Sequence, residues 1–186
     1  MQATQIQPAG PRSRGALVAC EQEADEQQYL TFMLGDEMFA IGILSIREII
    51  EYGFVTDVPM TPAFIRGVLN LRGAVVPVVD MAVRFGREAR ENSKRTCIVI
   101  VDIEAPNGSQ QMGVVVDAVS EVLEIPQADI EPPPEFGARI RNDFIKSMGK
   151  INGKFVVILD LNRVLSVEEV AVVAHVAQAP ATFANA

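Results

Sequence analysis

Four aspartates, Asp80, Asp102, Asp117 and Asp160, stand at the ends of apolar runs and are the residues of this chain best placed for acid–base work. Two carboxylates facing one cleft could divide the roles of proton donor and acceptor, which would make the protein a carboxylate-dependent hydrolase. The alternative is local. An Asp that closes a strand accepts hydrogen bonds from the backbone N–H groups beside it and starts a turn. The rest of the inventory favours that second role. The single histidine, His175, stands near the C-terminus, outside every repeated motif. No His–Cys or His–Asp spacing suits a metal, no glycine loop suits a phosphate, and the Gly-X-Ser-X-Gly elbow is absent. Binding without catalysis, metal or cofactor is the expectation.

A chain of 186 residues can bury one sizeable core, or two small lobes that share one. Hydrophobic residues make up 49% of it and mean hydropathy is +0.22, which places it in the globular class. A net charge of −8 with scattered basic residues excludes a nucleic-acid partner, which would need clustered Lys and Arg. Cys20 lies in a polar segment and Cys97 in an apolar one. That unlike pair suggests free thiols in a reducing cytoplasm. No apolar run reaches the roughly 20 residues of a membrane-spanning helix, so membrane association is expected only through partners.

The elements that would position these residues are mostly strands. Residues 1–27 lack a sustained period and predict a mobile tail, with order beginning near Tyr29. Tyr29–Leu34 and Met38–Ile43 read as a hairpin turning at Gly35-Asp36. Ile46, Ile49 and Ile50 fall at helical spacing and predict a short helix over Leu44–Glu51. Phe54–Val58 reads as a strand, and Thr61-Pro62 as the opening of a one-turn helix. Two strands follow, turning at Arg72-Gly73 and closing on Asp80, with Pro77 required to sit at an edge or a bulge. Beyond a charged connector over Arg84–Arg95, Thr96–Asp102 and Met112–Val116 read as another hairpin. Ser166 and Glu169 have capping-box spacing and predict a C-terminal helix to about Ala174, with a frayed end over 178–186.

A pattern recurs within the chain. Phe64, Ile65, Gly73, Val76 and Asp80 return eighty positions later as Phe144, Ile145, Gly153, Val156 and Asp160. Ile46, Glu48, Ile49 and Glu51 return after 73 positions as Val119, Glu121, Val122 and Glu124. The repeat predicts two small barrels related by duplication, with an apolar seam between them. Runs such as Ile98–Val101, Val114–Val116 and Val156–Leu159 are apolar on consecutive residues, which implies burial on both faces. Differences between the copies are informative. Gly73 and Gly153 serve both turns, but Arg72 stands where the second copy has Asn152. Asn is a choice that the turn itself favours; Arg is either an ordinary exposed charge or a fork-shaped donor held on a rigid tip. Phe136, between Pro134 and Gly137, either folds back as a plug or stands out as an anchor.

Thr61–Asp80, with Leu34–Glu37, Gly113–Leu123 and Pro134–Phe136, resembles the CheW family of bacterial chemotaxis coupling proteins, in unbroken order from about Gln28 to Glu168. The resemblance implies an all-β fold of two SH3-like five-stranded barrels around a shared core, and no catalysis. It implies a CheW-like domain over 28–168 with interleaved lobes of approximately 28–90 and 91–168; the tail over 1–27 and the C-terminal helix and tail over 169–186 depart from the family's compact pattern. The implied partners are the cytoplasmic tip of a methyl-accepting chemoreceptor and the regulatory domain of the histidine kinase CheA, in motility or in another chemosensory pathway. Carried over by position, Ile46, Glu48, Arg72 and Val119 fall at or near the receptor-facing groove, and Gly67 and Phe136 at kinase contacts. The isolated protein is expected to be a monomer.

Overall fold

A computed structural model describes residues 27–106, 108–135 and 143–165. The chain forms β1 (Gln27–Leu34), β2 (Glu37–Gly42), β3 (Ile46–Glu51), β4 (Ile65–Leu71), β5 (Ala74–Asp80) and a short helix α1 (Met81–Arg84). It continues through β6 (Cys97–Ala105), β7 (Gly108–Val116), β8 (Ala118–Ile125), β9 (Ile130–Glu131), β10 (Ile145–Ile151), β11 (Lys154–Leu159) and α2 (Leu161–Val164). One sheet has the order β3-β6-β7-β5-β4 and defines the first lobe; the other, β8-β1-β2-β11-β10-β9, defines the second.

Each sheet closes through one continuous stretch of chain. After β3 the backbone crosses to the far edge, where Thr56 and Val68 of β4 exchange hydrogen bonds of 2.8 and 2.9 Å. In the second lobe β8 leads to β9, which pairs with β10 at Met148↔Glu131 and Gly149↔Ile130. The β4 and β10 sides are thereby covered, which shortens the open ladder that would otherwise recruit other strands. The Thr56 bridge and the two-residue β9 are the same device; the first lobe has the five expected strands, and β9 makes a short sixth in the second.

The lobes do not divide near residue 90. The first lobe runs without a break from Ile46 to Val116, whereas the second combines β8–β11 with the hairpin β1–β2 from the start of the chain. Two parallel pairings make this exchange: β5 with β7 at Val78↔Gly113, and β11 with β2 at Ile158↔Ala40. A parallel neighbour requires a crossover, and α1 with the connector behind it supplies one between β5 and β6. Pro77 lies where β5 is paired only with β4, because the β7 pairing begins at Val78. The missing donor therefore costs nothing on the open side.

Several local expectations are corrected. Leu44–Glu51 is not a helix: Ile43–Ser45 makes a single 3-10 turn and β3 follows. Its repeat counterpart is likewise the strand β8. The β-branched residues Ile46, Ile49, Ile50, Val119 and Val122 suit a pleated surface, and the register shift between Ile46 and Glu48 disturbs the alternation enough to imitate helical spacing. Phe54–Val58 contributes only the Thr56 bridge. Thr61-Pro62 opens a turn, in which the Thr61 hydroxyl donates to Val58 O and Ile65 N–H to Pro62 O. Residues 1–26, Cys20, Phe136, His175 and the expected helix from Ser166 lie outside the described residues.

The consecutive apolar runs are buried on both faces. In β6, Ile98 and Ile100 point into the first lobe's own core with Leu69, Val76, Val78 and Val115. The alternate residues Val99, Val101 and Ile103 face a core shared with Leu30, Phe32 and Leu34 of the second lobe. In β11, Ile158 serves the second lobe's core with Tyr29, Ala40, Ile125 and Val156, while Leu159 joins the shared one. Full burial of each such side chain contributes about 1.5–3 kcal/mol. A row of rings lines the seam: Phe32–Phe39 at 6.1 Å, Phe39–Phe85 at 5.6 Å and Phe85–Phe144 at 5.1 Å between centroids. Neither small lobe holds enough apolar surface alone, so the seam is what makes the pair stable.

Candidate protein-binding site

The four strand-terminal aspartates resolve into structural parts. Asp80 caps α1, accepting from Val83 N–H at 3.2 Å, and is paired with Arg66 at 2.7 Å. Asp160 caps α2 through Asn162 and Arg163 N–H. Asp117, between β7 and β8, accepts from Gly35 N–H at 2.6 Å. Asp102 lies inside β6 rather than at its end, and pairs with Arg47. Each carboxylate thus has a local partner, and no two of them are brought together as an acid–base pair. Among the described residues no group of His, Cys, Asp and Glu could hold a metal ion, and no helix is long and apolar enough to cross a membrane. Burial pushes the Tyr29 phenol above its ordinary pKa; its hydroxyl donates to Gln27 Oε1 at 2.6 Å, in the second lobe's own core.

The unusual geometry lies at the tip of the β4–β5 hairpin. Arg72 and Gly73 both have positive φ, 50° and 89°, as a two-residue turn with the correct twist requires. Asn152 and Gly153 repeat this at 50° and 77°. Asn tolerates the left-handed region, whereas Arg there costs of order 1–2 kcal/mol. What Arg72 gains is a partner. Its Nη1 donates to Glu48 Oε1 at 2.8 Å and its Nη2 to Glu48 Oε2 at 3.0 Å. This two-pronged pair connects β3 and the β4–β5 tip, which lie at opposite ends of the sheet order. The Arg72 side chain remains 78% exposed and that of Glu48 25%. A pair this open adds at most about 1 kcal/mol to stability, but it fixes the direction of the guanidinium.

The other expected site residues fall into two groups. Ile46 and Val119 are half-buried on the edge strands β3 and β8, opposite Val101 and Phe32, and both pack against the shared core. They occupy corresponding points of the two lobes along the seam. Gly67 is buried and presents no surface of its own. At φ 136°, a Cβ on it would stand 2.0 Å from Thr56 O, so only glycine lets the 53–60 loop lie against β4. That loop carries residues the sequence reading overlooked: Phe54 and Met60 are fully exposed, as is Leu44 in the 3-10 turn, and Val75 at the hairpin is half exposed.

Residues 28–169 match the model of the CheW-like domain. The chain is 36% identical over 152 residues to the chemotaxis protein CheW of Klebsiella aerogenes, covering 82% of this chain and 89% of that one. It is 34% identical over 163 residues to the chemotaxis protein CheW of Helicobacter pylori, covering 87% and 96%. The crystal structure of the scaffolding protein TtCheW from Thermoanaerobacter tengcongensis is similar with a TM-score of 0.69 at 35% identity, over 77% of this chain and 94% of that one. The chain, a doubled β lobe with a shared seam that matches over residues 28–169, belongs to the CheW family of non-enzymatic chemotaxis scaffold proteins.

Proposed function

We propose that this protein couples chemoreceptor tips to the histidine kinase CheA in the cytoplasm, and that it does so by binding alone. The receptor's helical hairpin would lay its apolar face along the seam marked by Ile46 and Val119, with the Glu48–Arg72 pair beside it. The kinase regulatory domain would meet the first lobe on the loop that Gly67 holds down, through Phe54 and Met60. Phe136 would supply a second kinase contact. The observation that carries this reading is the retention of an arginine in a left-handed turn position where the other repeat uses asparagine. A residue that the fold disfavours, held in a fixed direction at the surface, is best explained by a partner. Signalling then requires that contact strengths differ between receptor states, since only differential affinity moves the kinase equilibrium.

The test is reconstitution of the full chain with a receptor cytoplasmic fragment and CheA, read as complex formation and kinase activity. Arg72→Ala and Ile46→Asp should keep the folded spectrum and lose about tenfold or more in association, as centrally placed contact residues do. Normal binding by both variants would remove the assignment.

A further inference from the structure

The second lobe has an open groove of about 710 Å³ where the first lobe has the Arg72–Glu48 pair. Glu121, counterpart of Glu48, and Asn152, counterpart of Arg72, both line it. Its floor and sides are apolar, built from Phe39, Leu123, Ile151 and Val156, with Met38 36% and Phe155 56% exposed at the mouth. Asp36, Glu37 and Glu121 outweigh Lys154 in charge around it. Glu37 is held by Arg87. Glu121 is anchored through its backbone, where its carbonyl accepts from the Thr31 hydroxyl at 2.8 Å and its N–H donates back to that hydroxyl. Among the described residues, no ion pair holds the Glu121 carboxylate.

The first lobe shows what fills such a place: a guanidinium that meets the strand carboxylate with two parallel hydrogen bonds. Asn152 is too short to do this and carries no charge. We infer that the groove receives an arginine from a partner protein, inserted beside an aliphatic side chain, so that Glu121 is matched in trans as Glu48 is in cis. The acidic rim selects a cation, and Phe155 offers a ring face on which a guanidinium stacks. The methionine at the mouth adapts to an aliphatic neighbour. Lysine would satisfy the charge but not the fork. This inference does not depend on the receptor and kinase assignments.

The probe is acetyl-Leu-Arg-Leu-amide titrated into the 15N-labelled full chain, with Lys and citrulline in place of Arg as controls. Saturable amide shifts should appear around Glu121, Asn152 and Phe155, with the Arg peptide binding tighter than the Lys peptide and the citrulline peptide silent. Glu121→Gln should weaken binding about tenfold, the worth of a charge-assisted pair. Asn152→Arg should abolish it by supplying the guanidinium in cis, because Arg72 already adopts the same φ of 50°. Both residues are exposed, and spectral dispersion verifies the fold of each variant. Shifts that do not saturate, that survive both substitutions, or that the Lys or citrulline peptide reproduces at equal strength would overturn the inference.

Discussion

The two hairpin tips have one backbone and two chemistries. At each, an X-Gly turn places the first residue at φ 50°, yet one tip reaches across to a carboxylate and the other leaves a groove open. A duplicated chain contains its own control. Where the copies agree, as in Phe64 O and Phe144 O accepting from Asp80 N–H and Asp160 N–H at 2.7 and 2.9 Å, the fold dictates the residue. Where they differ against local preference, as at Arg72, the turn alone does not account for the residue.

The largest expected difference between the lobes concerns the bulge that bends β4 and β10. Gly67 stands there in the first lobe and Ser147 in the second, each beside a register shift. Only Gly67 has Thr56 O pressed against it. Gly67→Ala should cost at least about 3 kcal/mol, combining a forced shift of backbone with a disfavoured φ. Ser147→Gly should cost no more than about 1 kcal/mol. Urea unfolding of both variants measures the contrast; equal losses would mean that the bulge, and not the loop above it, sets the demand for glycine.

How much of this was legible beforehand follows from sequence distance. The hairpins at Arg72-Gly73 and Asn152-Gly153 carry their instructions in adjacent residues, and the double burial of β6 is written in consecutive apolar positions. The exchange of hairpins between lobes was not readable, because Val78↔Gly113 and Ile158↔Ala40 join strands without local signals. β3 imitates a helix because its bulge gives a short strand the spacing of a helix turn. Among the candidate residues, Glu48 and Arg72 are legible in the repeat and the resemblance, yet the bond between them is not. It depends on the barrel closing, which brings the two ends of a sheet together.

A middle-sized effect separates the two helix caps. Asp80 is nearly buried and is paired with Arg66, whose own side chain is 26% exposed. Asp160 is 29% exposed, its ion pair is with Arg163 at 3.4 Å, and the counterpart of Arg66 is the exposed Lys146. Asp80→Ala strips a cap and leaves a half-buried cation unmatched, for a loss of about 3 kcal/mol. Asp160→Ala removes chiefly a cap, worth about 1 kcal/mol. For a domain of this size, each kcal/mol shifts Tm by about 2–4 °C, so melting curves resolve the two. A loss at Asp160 as large as that at Asp80 would show that exposure does not rank the caps.

The smallest stability effect is the most informative about function. Arg72→Asn copies the second tip into the first: it gives up an exposed ion pair worth at most about 1 kcal/mol and relieves left-handed strain of similar size. The net change should lie within about 0.5 kcal/mol, with Tm nearly unmoved. A double-mutant cycle with Glu48→Gln isolates the pair, and its coupling in the free protein should fall below about 1 kcal/mol. Repeated on the affinity for a receptor fragment, the same cycle should yield a larger coupling, because a partner that covers the site removes the water that screens it. A coupling that is large in the free protein and unchanged by the partner would make the pair a clasp for the barrel. The arginine would then owe its place to the fold, and the contrast between the tips would lose its functional meaning.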